Sequence, residues 1–599
     1  MISAMKAPGL AVAAALSLLG LACTGQIPGA SNDRSGNAAG PGNGSGPSGP
    51  NGSAGSGSGS GNGSGSGSGS GAAPTPMPGP DGVIDSAGSY PLRRLTVLEY
   101  QNTVHDLLGV TVAEADSRGF AADQVLRGGF GSGAAIVSSV DSRQFLDVSD
   151  KVASAAVADM NKLMPPGCAA PDAGAEADCM GKLIDQLGLR AFRRPLSQDE
   201  ASGFAGLFKK LRSAEVGAPF PEAVHDIVLA MIQSPEFLYR WELDGDPIKD
   251  GDLIKFGPYE IASRLSYFLW ASMPDDALFA AAKSGGLDKP DQIAAQAERM
   301  LKDDRAQAGL RDFHMQWLGL YGLESLEKDP MLFATYTPEV AKAMLAESTA
   351  FINATMLGPQ ATGKLEDLYT SSTSYVNAVL AKHYGVPGVT SNDLQKVDLN
   401  PLQRAGILTH GSYLANHSKE NDSFPIARGL HVLRQVLCQE IPEPNIMLPP
   451  APEQKPGTTT RKLYEDFTAA AACQACHSRI NGVGFAFENY DATGGYRDKE
   501  EMQAVDASGS IELPSGTIKF KNAIELVKAV AKTPEARECV TRNWMRSLLR
   551  REESKLEGGS FKAASQAFAS SSFDLRALVV GLTKTRAFTH RNPVAGAGN

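Results

Sequence analysis

Residues 472–497 read ACQACHSRINGVGFAFENYDATGGYR and contain two cysteines and a histidine at short spacing, Cys473, Cys476 and His477. In a helix these residues occupy positions i, i+3 and i+4, and they therefore lie on one face. Two thiols on that face can form thioether bonds with the vinyl groups of a haem, while the imidazole binds the iron from the same side. The spacing thus predicts one covalent haem c, attached through both cysteines, with His477 as the proximal ligand.

Two other chemistries use a Cys-x-x-Cys pair. A structural zinc site needs further ligands at similarly close spacing, and no second CxxC or HxxxH lies near residues 473–477. A redox dithiol of the thioredoxin type is typical of a βαβ context, which the surrounding helical pattern does not offer. Both alternatives, and a pattern without function, remain open as the less favoured interpretations.

The N-terminus predicts export. Lys6 precedes the apolar run GLAVAAALSLLGLA, which has the length of a secretory h-region and falls short of the about 20 residues that span a bilayer. The run ends in LACT, which resembles a bacterial lipobox except that Gly20 stands where a leucine is usual. We expect residues 1–23 to be a signal peptide and Cys23 to be lipidated; a soluble secreted protein is the alternative.

A flexible tether is predicted after the signal. Residues 35–80 contain no charged side chain and consist largely of Gly/Ser repeats. Such a segment cannot bury enough apolar area to fold and behaves as a flexible coil. We therefore expect a disordered linker over residues 24–82 that holds the body away from a membrane.

Charge and motif content exclude several classes of function. The net charge of −10 is spread over 599 residues with no basic stripe, which argues against nucleic acid as a partner. No further apolar run has membrane-spanning length, so we expect membrane contact only through the N-terminal lipid. The sequence has no G-x-S-x-G, H-E-x-x-H or P-loop motif, so it gives no support to a hydrolase, a zinc peptidase or an NTPase. It does not identify a substrate.

The periodicity of the body is helical almost throughout, which predicts a mainly α, multidomain fold. Thr96, for example, is a candidate cap for the amphipathic segment VLEYQNTVHDLLG. The clearest strand signal is SIELPSGTIKF, which predicts a short hairpin. Loop-like segments along the chain divide the body into five predicted modules. They are a helical module at residues 83–165, a helical module with a cysteine loop at 166–242, a central helical module at 243–390, a helical module that ends in a Pro-rich segment at 391–455, and a haem-binding module at 456–599.

The remaining cysteines predict disulfides. Of seven cysteines, four are left once Cys23 and the Cys473/Cys476 pair are assigned, an even number in an oxidising compartment. We predict the pairs Cys168–Cys179 and Cys438–Cys539, the second of which would tie together the two sides of the haem motif. The alternative is that either pair remains free and buried.

Nine segments in serial order resemble the signatures of the planctomycete-type cytochrome c proteins. They are PLRRLTVLEYQNTVHDLLGV, LGLRAFRRPLSQDEASGF, IQSPEFLYRWE, RLSYFLWASMPDDAL, FHMQWLGL, SSTSYVNAVLAKHYGV, RAGILTHGSYLANHS, FPIARGLHVLRQVLC and the cysteine-containing run above. In that run Gly484, Phe485, Glu488, Asn489, Tyr490 and Asp491 match the family's Gly-Phe-x-x-Glu-Asn-Phe-Asp-like pattern. Many members also have an N-terminal cytochrome module, which the Gly/Ser tether replaces here.

The resemblance implies an exported haem protein with a small cytochrome c-like C-terminal region and an unknown substrate. We expect electron transfer, or a haem-dependent oxidoreductase activity, in the cell envelope, with a redox partner protein there. The lipid anchor would place the protein at the periplasmic or outer-membrane face. The alternative is a surface lipoprotein that binds a polymer or acts as a scaffold, with a structural or regulatory haem.

The sixth iron ligand is the least determined part of the site. His410, in ILTHGSYLANHS, fits the family pattern and is the favoured candidate, ahead of Met545 and an open position. Methionine would raise the potential of an electron-transfer haem, whereas an open position would favour reaction with small molecules.

Other polar residues near these motifs are expected to have structural roles. Capping and turn formation are favoured over proton transfer for Glu488 and Asp491. Helix-end packing and ion pairing are favoured over anion binding for Arg190, Arg193 and Arg194.

Overall fold

The computed structural model describes residues 82–593, apart from 89, 91, 118, 121–124, 127–128, 132–137, 241, 243–247 and 443–449. The predicted signal peptide, the lipidation site Cys23 and the linker up to residue 81 lie outside the described residues, so those assignments remain predictions. All described residues belong to one unit, residues 76–599.

The first part of the body is helical, and its first helix begins at the predicted cap. The hydroxyl of Thr96 accepts a hydrogen bond from the Glu99 N–H at 3.2 Å, and the Glu99 carboxylate accepts one from the Thr96 N–H at 2.9 Å, which is a capping box. Gly109 ends this helix with a left-handed φ of 69°. The helices are α1 (Val97–Leu108), α2 (Glu114–Ser117), α3 (Ser139–Val157), α4 (Met160–Leu163), α5 (Glu176–Ala191), α6 (Gln198–Leu211), α7 (Phe220–Gln233) and α8 (Pro235–Leu238).

The central part is helical as well, and proline at the first helical turn starts several of its helices. A 3₁₀ turn, Leu323–Ser325, lies between two of them. The helices are α9 (Pro258–Trp270), α10 (Asp276–Ser284), α11 (Pro290–Met300), α12 (Ala306–Trp317), α13 (Pro338–Met356), α14 (Leu365–Thr370) and α15 (Ala378–Tyr384).

The C-terminal part includes the helix with the two free cysteines. Short 3₁₀ turns occur at Ile407–Thr409 and Lys555–Glu557, and a π-helical turn, Val432–Val436, continues one α-helix. The helices are α16 (Gly411–Asn416), α17 (Pro425–His431), α18 (Thr460–Phe467), α19 (Ala471–Phe485), α20 (Ala523–Val530), α21 (Pro534–Leu549), α22 (Gly558–Ser570), α23 (Leu575–Thr583) and α24 (Arg586–Thr589).

The strands are short and pair antiparallel in small sheets. The predicted hairpin is confirmed, with Gly516 opposite Leu513 and Phe520 opposite Gly509. The pairs are β1 with β2, β5 with β6, β7 with β8 and β9 with β10, and β4 lies between β3 and β11. The strands are β1 (Arg93–Arg94), β2 (Tyr239–Arg240), β3 (Ile248–Asp250), β4 (Leu253–Lys255), β5 (Thr373–Val376), β6 (Gln395–Asp398), β7 (Lys499–Glu500), β8 (Gln503–Ala504), β9 (Gly509–Leu513), β10 (Gly516–Phe520) and β11 (His590–Arg591).

The mainly α fold is therefore confirmed, and its helices share an extended apolar core. One cluster of buried side chains extends from Phe130 to Phe588 and includes Trp270, Trp317 and Trp544. Burial of such large side chains contributes about 1.5–3 kcal/mol each. Among the described residues, no helix combines the length and the apolar character that crossing a membrane requires.

Both predicted disulfides are confirmed. Cys168 bonds to Cys179 across a loop, and Cys438 bonds to Cys539 at a sequence separation of 101. The second bond joins the end of the π-helical turn to α21, so it links the segment before the CxxCH pattern to the helices after it.

Candidate haem-attachment site

The helix α19 contains all three residues of the CxxCH pattern. It runs from Ala471 to Phe485, so Cys473, Cys476 and His477 share one helical face, as the spacing predicts. Both cysteines are free thiols, and both are partly exposed. A reagent or prosthetic group approaching this face from outside would therefore meet two thiols and an imidazole together.

A chain of hydrogen bonds defines which nitrogen of His477 is protonated. The Thr468 hydroxyl donates to the Tyr464 carbonyl at 2.7 Å and accepts from the side-chain amide of Asn481 at 2.8 Å. The Asn481 Oδ1 atom consequently faces His477 Nδ1, 3.0 Å away. Because Oδ1 only accepts, Nδ1–H is the donor of this hydrogen bond, and Nε2 is the ring nitrogen that stays available to a metal.

These residues fit a c-type haem. A histidine that binds a metal typically donates its other N–H to a fixed acceptor, which orients the ring and raises its basicity, and Asn481 is such an acceptor. In the described part of the chain, Nε2 has no hydrogen-bond partner of its own. No group of three or more His, Cys, Asp or Glu side chains with metal-binding geometry occurs among the described residues.

Two glycines let α17 and α19 pack backbone against backbone. A Cβ atom on Gly484 would lie 2.1 Å from the Pro425 carbonyl oxygen, and one on Gly429 would lie 2.5 Å from the Ile480 carbonyl oxygen. Any side chain at either position would separate the helices. This contact fixes the buried half of α19, while the half with the cysteines stays at the surface.

Arg428 on α17 holds the chain that follows α19. Its guanidinium is fully buried and donates to the carbonyls of Phe487 and Tyr490 at 2.9 Å and of Asp491 at 2.8 Å. Backbone carbonyls suit a planar guanidinium because its donors are fixed in direction, although the buried Nε atom of Arg428 has no hydrogen-bond partner. Sequence reasoning missed this residue, although an arginine inside the apolar stretch FPIARGLHVL is itself a signal of a buried polar anchor.

Asp491 has the predicted structural role. Its Oδ1 accepts hydrogen bonds from the N–H groups of Thr493 and Gly495 at 2.8 and 2.9 Å, which closes the turn at Gly494–Gly495. The structural interpretation is confirmed for this residue.

Glu488 is structural too, but it caps no helix. Its carboxyl is buried, accepts from the Ser423 hydroxyl at 2.8 Å and pairs with Arg497 at 3.1 Å. Burial, assisted by the nearby Glu500, raises the pKa of Glu488 to about 7 and outweighs the opposing effect of Arg497 and Arg428. The segment after α19 thus includes a carboxyl group that titrates near neutral pH.

His410 lies in a buried polar cluster beside α13. Its Nδ1 atom is 3.1 Å from the Ser348 hydroxyl and 4.0 Å from Glu347, and its ring packs against Phe351. Burial lowers the pKa of His410, so its imidazole is neutral at pH 7. Among the described residues, none of the polar or ring contacts of His410 involves α19.

The other sixth-ligand candidate is also buried. Met545 is fully buried in the apolar core. Both candidates thus lie among other buried side chains, Met545 in the apolar core and His410 beside Ser348 and Phe351. The sixth ligand therefore remains a prediction.

The three arginines of LRAFRRPL have the structural roles that were predicted. Arg193 donates to the carbonyls of Phe237, Glu236 and Tyr239. Arg194 forms an ion pair with Glu200 at 2.9 Å, and Arg190 forms one with Asp276 at 3.1 Å.

The fold and this site define a mainly helical, multi-module protein with a CxxCH-containing helix partly exposed at its surface. Five family models match the chain, each described as a protein of unknown function: DUF1587 over residues 93–158, DUF1595 over 179–242, DUF1592 over 256–386, DUF1588, also named PSCyt3, over 404–500, and DUF1585 over 516–588. The chain belongs to the planctomycete cytochrome c family.

The DUF1588 match contains the CxxCH helix, Arg428 and Glu488. No curated protein and no solved structure matches the chain. Family membership supports a cytochrome-like protein. A more specific function has to be argued from the residues of α19.

Proposed function

We propose that this protein is an exported c-type cytochrome of the cell envelope, with one covalent haem on α19, and that it transfers electrons to or from a partner protein or serves as a haem-dependent oxidoreductase. The single observation that carries the proposal is the arrangement of His477. Its Nδ1 proton is fixed on Asn481, and Nε2 is left unbonded beside two free thiols on the same face.

Each residue of the helix has a separate task in this proposal. The sulfur atoms of Cys473 and Cys476 anchor the haem, and the Nε2 atom of His477 binds its iron. Asn481, held by Thr468, keeps the imidazole oriented and electron-rich. A haem bound there supplies one-electron redox chemistry.

The exposure of α19 supports electron exchange with another protein. Ala471, Ala475 and Ser478 are exposed on the same half of the helix as the cysteines. Small side chains there let a partner approach closely. We place that partner in the cell envelope, where lipidated Cys23 would tether the protein.

Covalent attachment is tested by producing the full chain in a host with c-type cytochrome maturation. After denaturation and acid-acetone extraction, the wild-type chain should keep a haem-dependent peroxidase stain, and Cys473→Ser with Cys476→Ser should abolish it. The matched control is Cys168→Ser with Cys179→Ser, which also removes two cysteines and should keep the stain. Haem that extracts from the wild type, or its absence, would overturn the proposal.

The sixth iron position is tested by optical spectra of the same preparation. His410 remains the proposed ligand, with Met545 and an open position as alternatives. A low-spin spectrum that becomes high-spin in His410→Ala would support it, whereas an unchanged low-spin spectrum would exclude it. A high-spin wild type that binds carbon monoxide would indicate an open position and favour an oxidoreductase.

A further inference from the structure

A cluster of buried charges surrounds Tyr267, far along the chain from the haem motif. Every member is at least nine-tenths buried, and ion pairs or shared neighbours connect all of them. The positive members are Arg93, Arg193, Arg240, Arg264 and Arg550, and the negative members are Glu99, Glu242 and Asp312.

The ion pairs join regions that four different family models match. Glu242 pairs with Arg264 at 2.7 Å and with Arg240 at 3.2 Å. Arg550 pairs with Asp312 at 3.1 Å and lies 3.6 Å from Glu99. The cluster is therefore a junction at which separate parts of the chain meet.

The carboxylate of Glu242 is ionised. Burial disfavours the charge of Glu242, but Arg264, Arg93 and Arg240 together hold its pKa below the ordinary value. Burial also opposes the charge of Arg550, and Asp312 and Glu99 raise its pKa nonetheless. The junction thus contains full charges.

Positive charge is in excess there. Among the described residues of the cluster, five arginines face three carboxylates, which is an excess of two positive charges. Arg591, next to Glu242, adds a further positive charge, whereas burial raises the pKa of the neighbouring Glu260 to about 7, so its carboxyl carries only part of a negative charge at neutral pH. Arg93 and Arg193 donate to backbone carbonyls, which does not neutralise their charge, and the Nε atom of Arg93 has no hydrogen-bond partner. Uncompensated buried charge is costly.

A small cavity lies among three of these arginines and Asp312. Its volume is about 10 Å³, close to that of one water-sized site. The Nε atoms of Arg240 and Arg264 are buried and have no hydrogen-bond partner. The residues that line the cavity are Arg240, Arg264, Tyr267, Phe268, Gly309, Asp312, Ser547, Leu548 and Arg550.

We propose that this cavity binds one small monovalent anion of the size of chloride, coordinated by Arg240, Arg264 and Arg550. A chloride ion is slightly larger than the water molecule for which the cavity has room, and unlike water it offsets part of the excess positive charge. A water molecule would match the volume but leave the charge unchanged. The site is independent of haem and serves to hold the junction together.

Bromide substitution tests the identity of the occupant directly. Crystals of the full chain grown or soaked in bromide should give an anomalous peak in the cavity, within contact distance of the three arginines. Density at the cavity without an anomalous signal identifies water and overturns the proposal.

Thermal unfolding at constant ionic strength gives a second test. Replacing gluconate, which is too large for the cavity, with chloride should raise the Tm of the wild type saturably, by about 1 °C or more. Ser547→Leu fills the cavity and should remove the dependence on chloride, whereas Ser547→Ala leaves room and should keep it. An equal chloride response in all three proteins would show a general salt effect and overturn the proposal.

Discussion

The Nδ1 atom of His477 lies 3.0 Å from Oδ1 of Asn481, one turn further along the same helix. The acceptor thus comes from the helix that also holds both cysteines. Attachment, ligation and orientation of a haem would all be set by one rigid element.

Asn481 should tune the redox potential of the bound haem. In Asn481→Leu the imidazole loses its acceptor, donates less electron density to iron and stabilises the ferric state less, so the midpoint potential should rise. In Asn481→Asp the carboxylate should strengthen the interaction and lower the potential. Potentiometric titration measures both, with the exposed Ser478→Ala as control. Shifts of the same sign in both variants would contradict this role.

Gly484 should tolerate no side chain. A Cβ atom there would lie 2.1 Å from a backbone oxygen of α17, so Gly484→Ala should force α17 and α19 apart and lower the free energy of unfolding by about 2 kcal/mol or more. Urea unfolding measures the change. The control is Gly203→Ala in α6, where a Cβ atom meets nothing within 4 Å and where alanine should stabilise the helix by up to about 1 kcal/mol. Equal effects at both sites would refute the packing argument.

Glu488 should make the stability depend on pH. Its pKa is about 7 in the folded protein, against a usual 4.5, so the folded state binds more protons than the unfolded state between these values. Its contribution to the free energy of unfolding is fully present below pH 4.5 and is lost as the pH rises through 7. Glu488→Gln, which cannot ionise, should therefore gain stability relative to wild type on going from pH 5 to pH 8. Urea unfolding at both pH values checks this, and parallel pH profiles would exclude it.

The two disulfides should differ in their contribution to stability. The residues joined by Cys438–Cys539 are 101 apart, whereas those joined by Cys168–Cys179 are 11 apart. A longer closed loop restricts the unfolded chain more, so the Cys438→Ser/Cys539→Ser variant should lose about 4–5 kcal/mol and the Cys168→Ser/Cys179→Ser variant about 3 kcal/mol. Unfolding of each double variant in urea measures the difference. A larger loss for the shorter loop would contradict the expectation.

The sequence by itself determined the features that depend on neighbouring residues. The cap at Thr96, the hairpin at residues 509–520 and the common face of Cys473, Cys476 and His477 all follow from backbone periods of two or 3.6 residues. Both disulfides were also predicted, because four cysteines remain once the other three are assigned, two of them bracket one loop and the other two flank the CxxCH motif.

Only the tertiary structure decided which polar residues are buried and what they contact. Arg428 reaches carbonyls about 60 residues away, Glu488 meets Ser423, and Arg550 meets Asp312. The sequence separations of these pairs follow no helix or strand periodicity, because the distances between their side chains depend on how whole helices pack. The same packing raises the pKa of Glu488 and encloses His410, because burial removes the water that would otherwise solvate these groups.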